Sequence, residues 1–281
     1  MRFYRHDTKK RQDILNAILV TGHLKTKKFP VPKFLKSQSG DFVIERKIDS
    51  RNLYLTIYKY IDGEQKLILS KEEIFKTGKM LADIHLALKN SKLKTRIKNW
   101  QYFDKFNNIS AKLIEKTNNN SWNFEKTVSR DLFLEKVRLD VDNLEEFKTD
   151  LILADFPDTI MHGDFHTANL MFKNNKIAGI LDFDSIMAGP QVLDLAICAA
   201  NLQIQHVNFD KISKQQILDQ LVFGYKSVNQ LPDKELEFLP NLVKFWVISQ
   251  FVWLFTPITS QAQLRFYQQV FGNVWKVYTK N

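Results

Sequence analysis

The stretch that decides the fold is residues 160–196, with the sequence IMHGDFHTANLMFKNNKIAGILDFDSIMAGPQVLDLA. Leu170–Phe172 and Ile177–Leu181 are short apolar runs, and Lys173–Lys176 between them has the composition of a turn. We therefore expect a β-hairpin here, which returns the chain to the level at which the hairpin began.

Two carboxylates and an amide stand at the open end of this hairpin. Asp164 and Asn169 bracket the short loop that precedes it, and Asp182 follows its second strand. The hairpin would bring the three side chains together as an oxygen-rich cluster. Mg²⁺ takes few protein oxygens and leaves positions for phosphate and water, so the cluster is suited to this ion.

The order of these residues is that of the phosphoryl-transfer site of protein kinases. There, a catalytic-loop Asp is followed five residues later by a metal-binding Asn, and a second metal-binding Asp follows in an Asp-Phe-x element. Asp164 would orient the acceptor hydroxyl and take its proton, while Asn169 and Asp182 would bind Mg²⁺. His166 stands where protein kinases carry a cation that faces the transferred phosphate, and Asp184 adds a further carboxylate.

Because His162-Gly-Asp replaces His-Arg-Asp, the stretch resembles the aminoglycoside phosphotransferase and choline kinase superfamily. The continuation GILDFD, GP and LDLA looks most like the branch that contains type II homoserine kinases, and Asp194 resembles the structural Asp of that branch. The resemblance implies an α+β, protein-kinase-like, two-lobed fold with a small β-rich N-lobe and a larger helical C-lobe. It also implies an enzyme that uses ATP and Mg²⁺ to phosphorylate a hydroxyl of a small molecule, such as homoserine, another amino alcohol or an aminoglycoside.

The first residues resemble an interior strand of the family's N-lobe. Met1–Arg5 matches its third strand and places Arg2 on the nucleotide phosphates. Two strands and a phosphate-covering loop come before this strand in the family. We therefore expect the codons upstream of Met1 to encode them, and the chain without them to bind ATP weakly. A family helix supplies a Glu partner for the basic residue, and only Asp13 or Asn16 lies near that place.

The linker between the lobes is predicted near Gly63. Leu53–Tyr60 alternates and is rich in β-forming residues, and the segment after it resembles the family's linker, where backbone groups meet adenine. An ordinary strand and turn is the alternative. The candidates for contact with the base are Tyr58, Lys59 and Tyr60. The expected domains are residues 1–62, a partial nucleotide-binding N-lobe, and residues 63–281, the C-lobe with the catalytic and metal-binding loop.

Other elements follow from local signals. Ser70 and Glu73 form a capping box that starts a helix ending near Leu88, and His85 on this helix is expected to be a hydrogen-bonded core histidine. Thr117–Asn120 is expected to be a loop. Short strands are predicted at Lys33–Lys36 and Asp41–Ile44, and helices at Asp13–Val20 (with its apolar face at 14, 15, 18 and 19), Asp131–Phe147, Val192–Leu202, Ile212–Ser227, Phe238–Phe255 and Gln261–Val277.

The bulk composition argues against several other classes of protein. The 281 residues are 44% hydrophobic, as in a globular protein, and the longest apolar stretch, Leu242–Phe255, is too short and too polar to span a bilayer. Cys198 is the single cysteine, which rules out an intramolecular disulfide and fits a reducing, cytoplasmic location. The net charge of +10 is spread along the chain, so neither a nucleic-acid nor a membrane partner is expected. The oligomeric state is not predicted.

Two other functions remain open on the sequence. If the loop is extended, His162, Asp164 and His166 share one face, as the metal ligands of a hydrolase would. This reading leaves Asn169 and the Asp-Phe-Asp element unexplained. The missing phosphate-covering loop would instead fit a non-catalytic, pseudokinase-like nucleotide-binding protein. Zinc content separates the hydrolase from the kinase, and ATP turnover separates the pseudokinase.

Overall fold

The computed structural model describes residues 1–98, 109–119, 122–208, 211–255 and 260–279. The chain divides into two compact units. The first combines Met1–Trp100, Pro157–Leu195 and Asp219–Gln230, and the second combines Gln101–Phe156, Ala196–Leu218 and Leu231–Asn281. The first unit contains every predicted site residue. Residues on both sides of Gly63 belong to it, and the domain boundary expected between residues 62 and 63 stays a prediction.

The N-terminal sheet is built on its longest strand. Its members are β1 (Arg2–Arg5), β2 (Phe34–Leu35), β3 (Ile44–Ile48) and β4 (Arg51–Tyr58). β4 pairs antiparallel with each of the other three. The strand predicted at Asp41–Ile44 is wrong except for its last residue. Asp49 and Ser50, with φ of 46° and 66°, form a two-residue turn that fixes the register of β3 on β4, and the pairing extends back from this turn as far as Ile44 opposite Leu55.

Helix α1 (Arg11–Thr26) covers this sheet and confirms the helix predicted at Asp13–Val20. The buried residues of the shared core are Tyr4, Ile14, Ile18 and Val43. Leu19, which was expected on the apolar face, is 40% exposed. The buried face instead continues through Ala17, Thr21 and Leu24, which follows the three- and four-residue spacing of a helix more closely than position 19 does.

Helix α2 (Lys71–Leu88) begins with the predicted capping box. The Ser70 hydroxyl accepts from the Glu73 amide at 3.3 Å, and the Glu73 carboxylate accepts from the Ser70 amide at 2.9 Å. This helix packs against α6 (Lys214–Lys226) at two glycines. A Cβ on Gly78 would lie 2.0 Å from the Leu221 carbonyl oxygen, and one on Gly224 would lie 1.9 Å from the Phe75 carbonyl oxygen. The two backbones therefore touch at a separation that only glycine permits.

The central stretch forms two short antiparallel pairs. β5 (Asp158–Met161) pairs with β8 (Met187–Pro190), and β6 (Leu170–Lys173) pairs with β7 (Lys176–Ile180). The second pair is the predicted hairpin. Its turn consists of Asn174 and Asn175 in left-handed conformations, with φ of 49° and 56°. Helix α5 (Gln191–His206) begins directly after β8.

The described residues of the second unit are largely helical. Besides parts of α5 and α6, its helices are α3 (Ile109–Asn119), α4 (Arg130–Leu153), α7 (Asp233–Leu254) and α8 (Gln261–Thr279). Aromatic rings fill its core, with Phe124 stacked on Phe271 at 4.1 Å between ring centroids. The loop predicted at Thr117–Asn120 is wrong for 117–119, which belong to α3, and Asn120 lies outside the described residues. Thr117 is buried, so tertiary packing prevails over the local preference of Thr and Asn for loops.

No helix in the described part of the chain is long and apolar enough to cross a membrane.

Candidate active site

The loop between β5 and β6 brings three predicted site residues into direct contact. The Asn169 side-chain amide donates to the Asp164 carbonyl oxygen at 2.9 Å and to Asp164 Oδ2 at 3.1 Å. His166 Nε2 lies 3.3 Å from the other carboxylate oxygen, Oδ1. A short 3-10 turn at Thr167–Asn169 folds the loop back on itself, so these side chains form one hydrogen-bonded group.

His166 and Asn169 fix the ionisation state of Asp164. His166 Nδ1 accepts from the Ala168 amide at 3.2 Å, so the neutral ring carries its proton on Nε2, which faces Asp164. Burial raises the pKa of the Asp164 carboxyl, but the hydrogen bonds of His166 and Asn169 and the neighbouring imidazoles outweigh it, and the pKa lies below its ordinary value. Asp164 is therefore a carboxylate at neutral pH and can accept a hydrogen bond from a hydroxyl.

Asp182 is tied to this loop through the backbone. The residue before it, Leu181, donates its amide to the Asn169 carbonyl oxygen at 2.8 Å, which confirms that the hairpin returns the chain to Asn169. Asp182 itself is left-handed, with φ of 58° and ψ of 63°, a conformation that non-glycine residues adopt infrequently. Such outliers cluster at functional sites, where the surrounding structure holds them in place.

Arg2 reaches this region from β1. Its guanidinium lies 2.8 Å from Asp182 Oδ1 and 3.1 Å from Oδ2, and the nitrogen nearer Oδ2 is also 2.7 Å from Asp184. The acidic partners of Arg2 are thus the two carboxylates of the Asp-Phe-Asp element. Neither residue of α1 that lies near the place of the family's Glu has Arg2 as its partner here. Asp13 pairs with Lys98 at 2.7 Å, and the Asn16 amide donates to the Arg96 carbonyl oxygen at 3.0 Å.

Asp184 is less exposed than Asp182 and has further partners that were not predicted from the sequence. The Tyr4 hydroxyl donates to its carboxylate at 3.2 Å, and the Lys9 ammonium donates to its backbone carbonyl oxygen. Burial, together with the like charge of Asp182, raises the pKa of the Asp184 carboxyl in spite of Arg2 and Lys9. The side-chain alternation of β1, which puts Arg2 and Tyr4 on one face, is the signal that could have linked them.

The glycine of His-Gly-Asp is required by the fold of the loop. Gly163 has φ of +75°, and a Cβ there would lie 2.1 Å from the Ser185 carbonyl oxygen. The amides of His162 and Gly163 donate to the Asp194 carboxylate at 2.7 and 2.8 Å. The structural role expected for Asp194 is therefore confirmed: a fully buried carboxylate clamps the start of the loop.

His162 braces the loop as a neutral, buried ring. Its Nε2 donates to the Leu181 carbonyl oxygen at 2.9 Å and its Nδ1 accepts from the Asp164 amide at 3.3 Å. Burial lowers the pKa of its imidazole below the ordinary value. Both ring nitrogens have partners, and no group of three His, Cys, Asp or Glu side chains among the described residues is arranged to hold a metal. The geometry gives no support to the hydrolase alternative.

Comparison with known protein families agrees with this geometry. The model of the phosphotransferase enzyme family matches residues 1–230, which include all the residues of the loop and of the Asp-Phe-Asp element. The chain belongs to this family. The resemblance inferred from the motifs is confirmed.

Two relatives of this chain are named as homoserine kinases. The homoserine kinase of Rhizobium rhizogenes is 27% identical over 131 residues, which cover 41% of this chain and 40% of the relative. That of Zymomonas mobilis is 25% identical over 188 residues, or 63% of this chain and 50% of the relative. The chain thus spans about half the length, or less, of the curated relatives it matches.

Solved structures confirm the kinase-like fold of this chain. A microcompartment-associated aminopropanol kinase superimposes with a TM-score of 0.75 at 15% identity, covering 97% of this chain and 82% of that one. An amicoumacin kinase in complex with AMP-PNP and Ca²⁺ superimposes with a TM-score of 0.68 at 16% identity, covering 99% and 83%. At these identities the likeness shows the fold, which has a small sheet-containing N-terminal region and a larger helical part.

The three candidates for contact with the base lie at the end of β4 or directly after it. Tyr58 is its last residue, with its ring packed edge-on against Phe34 at 5.5 Å. The Lys59 amide donates to the Lys33 carbonyl oxygen at 3.0 Å, so this amide is not available to a base. Tyr60 is 82% exposed. A role of the three residues in binding adenine stays a prediction.

The segment after Tyr60 contacts the β6–β7 hairpin. Glu64 and Phe172 exchange backbone hydrogen bonds at 2.9 and 2.8 Å, and the Gln65 side chain donates to the Ala168 carbonyl oxygen at 2.6 Å. A Cβ on Gly63 would lie 2.9 Å from the Phe172 carbonyl oxygen. The predicted linker is therefore coupled directly to the loop that carries Asn169.

The donors at this site fit magnesium. Asp182 offers carboxylate oxygens, and Asn169 uses both N–H groups on Asp164, so its amide oxygen is the atom it can contribute to a cation. Two hard oxygen donors from the protein, completed by phosphate and water, are a set that Mg²⁺ favours. The partly buried Asp184 beside Asp182 adds a further carboxylate, which attracts a cation to this point.

Proposed function

We propose that this protein is an ATP- and Mg²⁺-dependent phosphotransferase that transfers the γ-phosphoryl group of ATP to a hydroxyl of a small molecule. The observation that carries the proposal is the contact of Asp164 with His166 and Asn169 on a loop whose next strands return to Asp182. Protein kinases use this order of residues for the same chemistry.

Asp164 acts on the acceptor in this proposal. Its carboxylate accepts a hydrogen bond from the acceptor hydroxyl and orients the hydroxyl oxygen towards the γ-phosphorus of ATP. It receives the proton of this hydroxyl as the new P–O bond forms and the bond between the γ-phosphorus and the leaving ADP breaks. Its low pKa keeps it ionised in the resting protein. His166 donates to Asp164 and so holds one oxygen of the carboxylate in place; a contact of His166 with the transferred phosphate is part of the proposal.

Asn169 and Asp182 would hold magnesium. Bound there, Mg²⁺ would neutralise the charge that develops on the phosphates. Arg2 would bind the phosphates directly, because it is a cation within 3.1 Å of the metal-binding carboxylate. Tyr58, Lys59 and Tyr60 are proposed to bound the adenine site.

A small amino alcohol heads the list of acceptors. Relatives of this chain are named as homoserine kinases, and one protein of similar fold is named as an aminopropanol kinase. An aminoglycoside follows, because other proteins of similar fold are a spectinomycin phosphotransferase and a gentamicin-bound phosphotransferase. The named relatives are kinases and phosphotransferases, so they do not favour the pseudokinase alternative. A cytoplasmic location stays a prediction, for which the single cysteine is the argument.

A screen of ADP release tests the proposal. The protein is incubated with ATP and Mg²⁺ and with homoserine, aminopropanol, choline or an aminoglycoside in turn, and ADP is measured against a blank without acceptor. At least one hydroxyl compound should raise ADP release in wild-type protein and not in Asp164→Asn. Nucleotide binding without turnover on any acceptor would favour the pseudokinase, and acceptor phosphorylation that persists in Asp164→Asn would contradict the assigned base.

A further inference from the structure

A buried chain of polar side chains runs from α6 to the catalytic loop. Asn229 Nδ2 lies 3.1 Å from the Tyr225 hydroxyl oxygen, which lies 2.7 Å from His85 Nδ1. His85 Nε2 lies 3.0 Å from Asp194 Oδ2. Tyr225 and Asp194 are 0% exposed and His85 is 1% exposed. The proposed chemistry uses Asp194 as a clamp on the loop but gives no role to Tyr225 or Asn229.

The donor and the acceptor of each hydrogen bond between these side chains can be assigned in turn. The Asp194 carboxylate only accepts, and it also takes the amides of His162 and Gly163, so His85 Nε2 must carry a proton. A neutral His85 ring then accepts at Nδ1, where the Tyr225 hydroxyl is its partner. With a neutral ring, donation runs from Tyr225 to His85 and from His85 to Asp194, provided that the phenol proton does not go to Gln191 Oε1 instead.

Asn229 is the first of these hydrogen-bonded side chains, at the end farthest from Asp194. Its amide donates to the Tyr225 oxygen and to Gln191 Oε1, at 3.1 and 2.9 Å. Gln191 Oε1 also lies 2.9 Å from the Tyr225 hydroxyl, so it competes with His85 for the phenol proton. Because Asn229 already satisfies Gln191, the phenol proton can go to His85 while every group keeps a partner.

The position of Tyr225 is enforced by the backbone. Gly224, its neighbour, lies at the contact between α6 and α2 where an added Cβ would be 1.9 Å from the Phe75 carbonyl oxygen. His85 is on α2, seven residues after Gly78, which forms the other half of this contact. The close approach of the two helices therefore sets the distance between the phenol and the imidazole.

We propose that Tyr225 is a positioning residue for phosphoryl transfer. Asp194 sets the tautomer of His85, and the Tyr225 hydroxyl fixes the orientation of the ring, so that His85 and Asp194 together hold the loop amides that precede Asp164. Without the hydroxyl, Nδ1 loses its hydrogen-bond donor and the ring is held from the Asp194 side alone. The ring can then rotate away from Asp194, and the carboxylate holds the loop amides less firmly. The inference rests on the proposed phosphoryl transfer for its consequence in turnover, but not for the state of His85.

Tyr225→Phe removes only the hydroxyl and is the first test. The turnover number should fall about 10- to 100-fold, because a small misplacement of a catalytic group has effects of this size. The KM for ATP should change little, since the loop amides do not bind the nucleotide. Tyr278→Phe is the matched control: its hydroxyl donates to Asp140 and to the Lys136 carbonyl oxygen in the second unit, and its loss should leave turnover unchanged.

A double-mutant cycle shows whether Tyr225 acts through His85. His85→Gln alone should lower turnover, and adding Tyr225→Phe to it should lower turnover no further. If the two effects simply multiply, or if Tyr225→Phe keeps wild-type turnover while its melting temperature falls, the hydroxyl only packs the core and the proposal is overturned.

The state of His85 is measured separately by ¹⁵N NMR of the histidine rings. Wild type should show His85 protonated on Nε2, and Tyr225→Phe should shift that ring and speed hydrogen exchange at the His162 and Gly163 amides. A wild-type ring protonated on Nδ1 alone, or on both nitrogens, overturns the proposal even if the variant fails to fold. If wild type phosphorylates no acceptor, the proposed function is wrong. The NMR spectrum of the His85 ring still tests whether Tyr225 orients His85.

Discussion

Arg2 occupies both carboxylate oxygens of Asp182, at 2.8 and 3.1 Å. The proposed metal ligand is therefore paired with a cation of the protein itself, and the same guanidinium also reaches Asp184 at 2.7 Å. A divalent ion at Asp182 must share these oxygens with Arg2 or displace it from one of them. The phosphates of a nucleotide would give Arg2 a replacement partner, so binding of the metal and binding of the nucleotide should favour each other.

Arg2→Met should bind divalent metal better in the absence of nucleotide. Removing the guanidinium frees the Asp182 oxygens and removes a positive charge from the site, so we expect affinity for Mn²⁺, used as a probe for Mg²⁺, to rise about tenfold, or about 1.4 kcal/mol. Affinity for ATP should fall, because the phosphates lose a cation. Paramagnetic resonance titrations with Mn²⁺ and calorimetric titrations with ATP measure the two effects.

Arg5→Met is the control for this variant. Arg5 lies on the same strand, but its partner is Asp7 at 3.2 Å and it is largely exposed. Its replacement should change neither titration. Unchanged metal binding in Arg2→Met, with a fold that remains intact by circular dichroism, would show that Arg2 does not compete with the metal.

Asp182→Ala should abolish the Mg²⁺-dependent part of ATP binding, and Asn169→Ala should weaken it less. A carboxylate loses more Coulomb energy with the metal than a neutral amide does. Calorimetry with and without Mg²⁺ separates the two contributions, and Asp83→Asn on the surface of α2 serves as the control because its carboxylate pairs only weakly with Lys79 at 3.5 Å. Equal Mg²⁺-dependent binding by Asp182→Ala and wild type would remove Asp182 from the metal site.

The parts of the site that could be predicted from the sequence depend on local signals. The hairpin turn at Asn174 and Asn175 and the capping box at Ser70 lie within a few residues of the groups they organise. The spacing of Asp164 and Asn169 is also local, and their hydrogen bond follows from it. Turns, caps and short loops are governed by backbone preferences that a single sequence displays.

The unpredicted parts depend on long-range packing. Arg2 and Asp182 are separated by 180 positions, and only the pairing of β1 with β4 fixes where β1 lies in the sheet. β3 escaped prediction because Glu45–Ile48 are exposed and mostly charged, so the strand has no alternating apolar face. The position of Tyr225 against His85 depends on the approach of two helices, which helical spacing alone does not specify.

Asp164→Asn should lower turnover about 10²- to 10⁴-fold and leave nucleotide affinity nearly unchanged. The amide keeps the size of the side chain but cannot receive the acceptor proton. Initial rates at saturating ATP and acceptor measure the effect, and a calorimetric ATP titration of the same sample verifies that the site is intact. A variant that turns over as fast as wild type would show that another group, or none, takes the proton.

Gly224→Ala and Gly22→Ala should change stability in opposite directions. A Cβ on Gly224 would lie 1.9 Å from the Phe75 carbonyl oxygen, and backbone cannot yield as a flexible side chain does, so α2 and α6 must separate. We expect a loss in the free energy of unfolding of about 1–3 kcal/mol, the usual cost of overpacking. Gly22 lies within α1 with no atom within 4 Å of an added Cβ, so alanine there should gain about 1 kcal/mol from helix propensity. Urea unfolding followed by circular dichroism compares the two variants.

Because the same contact places Tyr225 on His85, Gly224→Ala should also lower turnover, whereas Gly22→Ala should not. A Gly224→Ala protein with wild-type stability would show that the helices have room to move apart and that the glycine contact does not set the position of Tyr225.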